Sequence, residues 1–320
     1  MDHMYLALLP LIALPPALYL ALVLLSPPAD RKSLPSELVY RCAKDSKAPL
    51  PLPSITSPPS LSLSVIVPAY NETLRLKPML TAALSHLSSL PKMSKRTFEI
   101  IIIDDCSKDS TTSTALEFAK QNPTVDIRVV TFARNRGKGG AVQHGVLHCR
   151  GERVLMVDAD GASKFADLEK LWTGLDGIES DGQGVAVGSR AHMVKTEAVV
   201  KRSFLRNCLM YAFHALLRTV GVSYIHDTQC GFKLFTRASA RTLFQSLHLH
   251  GWVFDVELLL LAQRLSMPVV EVPIEWQEID GSKMSLMRDS INMGKDVLLL
   301  RGNYTIGRWR SISDDDAKRK

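Results

Sequence analysis

Val154-Leu-Met-Val-Asp158-Ala-Asp160-Gly161 is an apolar run that stops abruptly at two carboxylates one residue apart. A continuous apolar run bounded by Gly151 and Gly161 predicts a strand buried on both faces of a parallel sheet. Ligands of open α/β sheets bind beyond the carboxyl ends of such strands, which is where the two acids fall. Asp-x-Asp with small Ala159 between suits a hard, oxygen-seeking cation, Mg²⁺ or Mn²⁺, that shares its remaining positions between a diphosphate and water. The same residues also describe two turn-forming aspartates ahead of a glycine. The segments on either side decide between these readings.

Upstream, Ser62 to Pro68 predicts a strand running into Ala69-Tyr70-Asn71-Glu72, followed by a helical pattern to about Leu90. Phe98 to Ile103 is a second buried strand, closed by Asp104-Asp105-Cys106-Ser107. A helix around Ser113 to Gln121, a strand from Ile127 to Phe132 and a glycine-opened helix from Gly137 lead into the central strand. Downstream come a helix near Phe165 to Gly174, a strand Gly184 to Gly188 ending in Ser189-Arg190, and a basic helical stretch from Lys201 to Thr219. A loop from His226 turns into a strand at Phe232 to Phe235. An apolar helix then runs to about Leu265, and a last strand spans Val269 to Trp276. Strands alternating with helices predict a mostly parallel, doubly wound sheet.

The chain has 320 residues, 46% of them hydrophobic and 22% charged, enough for one large α/β core with an accessory segment. Its net charge of +7 suits a polyanion, an anionic membrane surface or a phosphorylated substrate, and composition does not choose among these. Five dispersed cysteines without a Cys-x-x-Cys pair indicate neither a zinc site nor a disulfide framework, and fit a reducing, cytosol-facing environment. Met4 to Leu25 is almost wholly apolar and uncharged; about 22 residues at roughly 1.5 Å each cross about 30 Å of hydrocarbon. We read residues 1–27 as a transmembrane anchor, a cleaved signal peptide being the competing reading. Arg31 and Lys32 just after it place the bulk of the chain in the cytosol. Residues 28–60, rich in Pro and Ser, read as a tether with one short helix around Ser36 to Lys44. Residues 61–285 read as the main folded domain, and 286–320 as an amphipathic segment and a polar tail.

Each motif has two readings. Tyr70 is placed to flank a flat base while Glu72 fixes its polar edge, or the segment is an ordinary turn. Asp104 and Asp105 suit hydrogen bonds from a uracil N3–H or a ribose hydroxyl, or cap the next helix. Arg134-Asn-Arg136-Gly137-Lys138-Gly139-Gly140 combines glycines with three cations, as suits main-chain approach to phosphates at a helix N-terminus, without the Walker spacing.

Five segments in this order, Val67-Pro-Ala-Tyr-Asn-Glu72, Ile103-Asp-Asp-Cys-Ser107, Val157-Asp-Ala-Asp160, Gly188-Ser-Arg-Ala-His192 and Asp227-Thr-Gln-Cys-Gly-Phe-Lys233, resemble the family 2 glycosyltransferases of the GT-A fold. Within them they are most similar to the dolichyl-phosphate β-glucosyltransferase group, over about Leu63 to Ser285. The resemblance implies a Rossmann-like, mostly parallel catalytic domain behind an N-terminal transmembrane helix, and inverting transfer of glucose from UDP-glucose to dolichyl phosphate for N-glycan precursor assembly. It implies an endoplasmic reticulum membrane enzyme, single-pass and facing the cytosol, with no nucleic-acid partner, and leaves the oligomeric state open.

By the same resemblance Pro68, Tyr70, Glu72, Ile103 and Asp105 hold the nucleotide, while Asp158, Ala159 and Asp160 line the diphosphate and an Mg²⁺ or Mn²⁺ ion. Asp158 and Asp160 are the metal pair, Asp160 the direct ligand. Arg190 and Lys283 lie near donor or acceptor phosphates. Asp227 is the candidate catalytic base, or else orients Lys233 or the donor sugar. Some mannosyl enzymes carry a further side-chain ligand where this chain has Ala162. A mannosyl enzyme using GDP-mannose is the nearest alternative, and a non-catalytic nucleotide-sugar or lipid-binding scaffold the alternative of another class.

Overall fold

The structure is a computed structural model that describes residues 16, 18–27, 33–43, 49–91, 96–195, 224–279 and 286–311. Two short strands, β1 (Val39–Tyr40) and β2 (Leu50–Pro51), pair antiparallel ahead of the main sheet. That sheet has seven strands: β3 (Leu61–Ala69), β4 (Phe98–Asp104), β5 (Asp126–Thr131), β6 (Gly151–Val157), β7 (Val185–Ser189), β8 (Phe232–Thr236) and β9 (Val269–Pro273). Their spatial order is β5-β4-β3-β6-β8-β7-β9. All neighbours are parallel except β8, which runs against both β6 and β7.

The helices are α1 (Leu76–Ser89), α2 (Thr111–Gln121), α3 (Lys138–Leu147), α4 (Leu168–Ile178), α5 (Arg237–Gln245), α6 (Phe254–Arg264) and α7 (Leu286–Thr305). Strand β4 shows why the sheet sits between two layers of them. Ile100 and Ile102 pack into the cluster that holds α1, α2 and α4, while Ile101 and Ile103 pack into the one that holds α3, α5, α6 and α7. All four isoleucines are fully buried; each contributes about 1.5–3 kcal/mol on leaving water. A half-buried strand alternates apolar with polar, whereas this one has no polar phase because neither face meets solvent.

The order predicted from sequence is the order observed, with three differences. The strand expected from Phe232 is antiparallel, and helix α5 was not anticipated. The segment read as a tether is fastened to the domain. It contains a 3-10 turn, Pro35–Glu37, rather than the expected helix, then β1, whose neighbour Arg41 bridges Val129 on the sheet's edge strand. Glu37 is fully buried, and a tether does not bury a carboxylate.

Among the described residues no helix is long and apolar enough to cross a membrane. The expected anchor lies largely outside them. Its described end, residues 18–25, is helical and exposes Leu18, Tyr19, Leu20, Leu24 and Leu25. This end packs on α7, where Leu22 meets Gly302 and Asn303 Nδ2 donates to Ser26 Oγ at 3.0 Å. Helix α7 is a core helix on one face through Met293, Val297, Leu300 and Tyr304, with Ile291 and Leu298 exposed on the other. The basic stretch at 201–219, Lys283 and the tail lie outside the described residues.

Candidate active site

Parallel pairing brings the carboxyl ends of β4, β3 and β6 to one edge in that order, and the reversed β8 begins at the same edge. Asp105 and Asp158 therefore stand about two strand spacings apart, roughly 10 Å, with Tyr70 just past the end of the strand between.

The loops after β3 and β4 are tied together. Asn71, at φ 56°, takes a left-handed conformation that Asn tolerates. Its N–H donates to Ser107 Oγ at 2.8 Å, and its Oδ1 accepts from Lys108 N at 2.8 Å. Glu72 N donates to Thr111 Oγ1 at 2.7 Å. The two acids that close β4 then separate in role. Asp104 accepts from Ser107 N at 2.8 Å and from the Thr112 hydroxyl, so it secures the turn into α2. Asp105 is turned the other way: Oδ1 accepts from Arg136 N at 2.6 Å and Oδ2 from Gly137 N at 2.9 Å. Burial pushes its carboxyl up to about 6 against the lowering effect of those two N–H groups. Gly137 itself sits at φ 83° with its α-carbon close under the His250 carbonyl, where a β-carbon would lie 2.6 Å from that oxygen.

Asp158 and Asp160 follow β6. Asp158 N donates to Gly231 O at 3.1 Å, and a β-carbon on Gly231 would lie 1.9 Å from Asp158 Oδ2, so only glycine lets β8 start this close to the acid. Lys138, the first residue of α3, sets its Nζ 2.6 Å from Asp158 Oδ1. Burial works against that ammonium, and the charges of Asp158 and Asp255 outweigh it, so its pKa is raised. Asp160 Oδ1 accepts from Ala162 N at 3.0 Å. Among the described residues no third His, Cys, Asp or Glu joins the pair. The donor set fits a hard divalent cation completed by a diphosphate: Asp160 keeps an oxygen for it, while Asp158 already carries a cation on one of its own.

The other predicted residues fall as follows. Pro68, Ala69 and Ala159 are buried at the strand ends and Tyr70 is partly exposed among them. Ile103 is fully buried beneath α3 against Gly145, so its side chain is core. Glu72 is clamped by Arg75, whose Nε lies 2.7 Å from Oε2. Arg75 in turn feels Asp160 and Asp158.

Asp227 holds Arg190 rather than Lys233. Arg190 donates from Nε at 2.7 Å, from Nη2 at 2.8 Å and from its main chain at 2.9 Å. Burial works against both charges and the pairing more than offsets it, so the Arg190 pKa is raised and that of Asp227 lowered. Lys233 is given to Asp255 instead, at 2.5 Å, both fully buried.

Of the three cations in the glycine-rich segment, only Lys138 turns to the acids. Arg134 is exposed, and Arg136 forms a buried pair with Glu37. Lys138 was legible as a cation opening a helix after glycine. Arg75 carried no local signal.

The sequence signature of "Glycosyl transferase family 2" matches residues 64–244. The chain belongs to glycosyl transferase family 2. Within this family it is 47% identical to the dolichyl-phosphate beta-glucosyltransferase of Saccharomyces cerevisiae, over 94% of this chain and 93% of that one. It is also 47% identical to the Homo sapiens protein of the same name, over 81% of each. The family 2 domain also has its fold in solved structures. Glucosyl-3-phosphoglycerate synthase from Mycobacterium tuberculosis, in complex with Mn²⁺, UDP-glucose and phosphoglyceric acid, matches with a TM-score of 0.52 at 17% identity, over 76% of this chain and 80% of that one. At that identity the likeness bears on the GT-A-like α/β fold and its mostly parallel sheet.

Proposed function

We propose that this family 2 enzyme moves glucose from UDP-glucose to dolichyl phosphate with inversion, giving dolichyl β-D-glucosyl phosphate for N-glycan precursor assembly. It acts from the cytosolic face of the endoplasmic reticulum membrane, held by its N-terminal apolar segment. The observation that carries this reading is the 47% identity, over 94% of the chain, to a relative named for glucosyl transfer to dolichyl phosphate.

The residues at the strand ends support this reading as follows. Asp105, with its oxygens already aligned by two main-chain N–H groups, accepts a hydrogen bond from the nucleotide. An oxygen of the acceptor phosphate attacks the anomeric carbon; a new C–O bond forms there as the bond to the β-phosphate oxygen breaks, and UDP departs with the electron pair. Lys138 and Arg190 place positive charge where charge accumulates on the departing diphosphate and the incoming phosphate. Asp160, with Asp158 beside it, would hold a divalent cation, which when bound would add positive charge beside the diphosphate. A phosphate monoester, with a second pKa of about 6, is largely dianionic at neutral pH and needs little help from a base. Asp227, engaged by Arg190 and lowered in pKa, suits positioning that arginine better than taking a proton.

The test is transfer from labelled UDP-glucose and GDP-mannose to dolichyl phosphate in detergent, with and without Mg²⁺ or Mn²⁺. Lipid product from UDP-glucose alone is expected. Product from GDP-mannose would move the enzyme to the mannosyl reading, and nucleotide binding without product from either donor would favour the scaffold.

Lys138→Met is expected to lower kcat by about a hundredfold, because it removes a preorganised cation from the leaving diphosphate. Unchanged single-turnover rates would remove Lys138 from the chemistry.

Asp105 also sets a pH dependence. With its carboxyl raised to about 6, donor affinity should fall as pH drops through that value and the acceptor oxygen is protonated. For stability the sign is opposite: the native state keeps a proton that the unfolded chain has lost, so this group's contribution declines as pH rises toward about 6. UDP-glucose affinity measured against pH should show the titration in the native enzyme and not in Asp105→Asn, since the esterified diphosphate of UDP-glucose, unlike that of UDP, has no ionisation of its own at about 6.

A further inference from the structure

Glu37 lies outside the sheet's own sequence, in the 3-10 turn between the apolar N-terminal run and the first strand of the main sheet, yet it is fully buried. Its carboxylate accepts from Leu34 N at 2.8 Å and from Ala133 N at 3.2 Å, and pairs with the guanidinium of Arg136. That guanidinium also reaches Ser33 Oγ at 3.4 Å and lies over the Phe132 ring, 4.8 Å from its centroid. The turn is secured from a third side, where His144 Nε2 stands 2.8 Å from Glu37 O.

Arg136 has a second role through its main chain. Its N–H and that of Gly137 are the two donors that fix Asp105, at 2.6 and 2.9 Å. The same loop is tied to Asp105 once more through Asn135 Nδ2, which donates to its carbonyl at 3.0 Å. Residues 133–137 lie between β5 and α3, where Gly137 O accepts from Ala141 N in the first turn of α3 and Cys106 Sγ stands 3.7 Å from Ala133 O. The loop's other bonds to neighbouring segments form two sets: one to Asp105 on the nucleotide side, one to Glu37 on the far side. Removing any one partner leaves the others bonded to a buried group that is no longer fully satisfied, so the Glu37 contacts behave as a unit.

We propose that Glu37 is a positioning residue for the nucleotide donor: by holding Ala133 and Arg136 it aims the two N–H groups that orient Asp105, and the segment ahead of the catalytic domain is thereby part of the donor site. This rests on reading Asp105 as the nucleotide's hydrogen-bond acceptor. It sets Glu37 apart from a residue that merely holds the N-terminal segment down, because its effect falls on the donor and not on the lipid acceptor.

The test uses the full chain in detergent. UDP dissociation constants, and KM values for UDP-glucose and dolichyl phosphate, are measured for the native enzyme, Glu37→Gln, Glu37→Asp and Asp105→Asn, and for the double variant Glu37→Gln/Asp105→Asn. Glu37→Gln should weaken UDP binding about tenfold, the effect of leaving one buried charge without its partner. It should leave the acceptor KM unchanged, be partly rescued by Glu37→Asp, and add nothing in the Asp105→Asn background. If Asp105→Asn weakens UDP binding while Glu37→Gln does not, the proposal is overturned and the nucleotide reading stands. If Asp105→Asn binds UDP normally, both are overturned. A lower melting temperature with UDP affinity intact would make Glu37 a structural prop and also overturn the proposal. Where Glu37→Gln fails to fold, Arg136→Gln cuts the same link while keeping the main-chain N–H, and the same readouts apply.

Discussion

Asp160→Asn is expected to reduce glucosyl transfer by about a thousandfold with little loss of folded protein, because under the proposed mechanism it removes the anionic oxygen that would hold the diphosphate's cation and nothing that the core needs. Asp160 is partly exposed after β6, and among the described residues the hydrogen bond it accepts is local, from Ala162 N. Asparagine can keep that bond through its own carbonyl oxygen, so the turn at Gly161, where φ is 74°, survives. What is lost is negative charge at the position with the best claim on a divalent cation. Asp104→Asn is the contrast. That acid caps the turn into α2 through Ser107 and Thr112, so its replacement should lower the melting temperature more than the turnover. Single-turnover assays alongside thermal melts separate the two. Loss of activity in Asp160→Asn that only follows loss of folded protein would remove it from the site.

The contrast between these two acids also shows what the sequence could and could not reveal. Strands β3, β4 and β6 were legible because each is a local apolar run too short for a helix and closed by acids or turn residues. Their carboxyl ends then had to share an edge once the connections were right-handed crossovers. The placement of Asp105, Asp158 and Asp160 at that edge was legible for the same reason. The direction of β8 was not, since five residues from Phe232 to Thr236 read alike in either direction and the route leading into them is set by tertiary packing. Helix α5 carried two local signals that the sequence reading passed over: Thr236 as its N-cap, accepting from Ser239 N, and apolar Ala240, Leu243, Phe244 and Leu247 at helical spacing.

Partners were the hardest part. Asp227 with Arg190, Glu72 with Arg75 and Glu37 with Arg136 are charge pairs, and a carboxylate in sequence does not announce which of many cations it will meet. Glu37 was least legible of all, because Pro and Ser around it describe a tether while one buried carboxylate fastens the segment to the domain. Composition averages over such a contact.

Lys233→Met should destabilise the fold by about 3–5 kcal/mol, the cost of stranding a buried carboxylate when its counter-ion is removed. Lys233 is fully buried on the reversed strand β8, where Nζ donates to Asp255 Oδ1 at 2.5 Å and to Cys230 O at 2.6 Å. Asp255 lies in the first turn of α6, where the helix dipole favours its charge but does not replace a cation. For a domain of this size the loss corresponds to a drop in melting temperature of about 10 °C. Converting both partners, as Lys233→Met/Asp255→Leu, should recover most of it, since an apolar pair of similar volume has no charge to desolvate. A single variant that melts with the native protein would show that Asp255 is satisfied by something else. The nearest candidate is Lys138, whose ammonium already feels Asp255 as well as Asp158. In Lys233→Met that ammonium is the remaining cation near Asp255, and movement toward it would take it from Asp158. The folded fraction of the single variant should therefore turn over more slowly than the double variant, in which Lys138 has only Asp158 to meet. Equal turnover per folded molecule in the two would confine the Lys233–Asp255 pair to holding β8 against α6, with no reach into the diphosphate site.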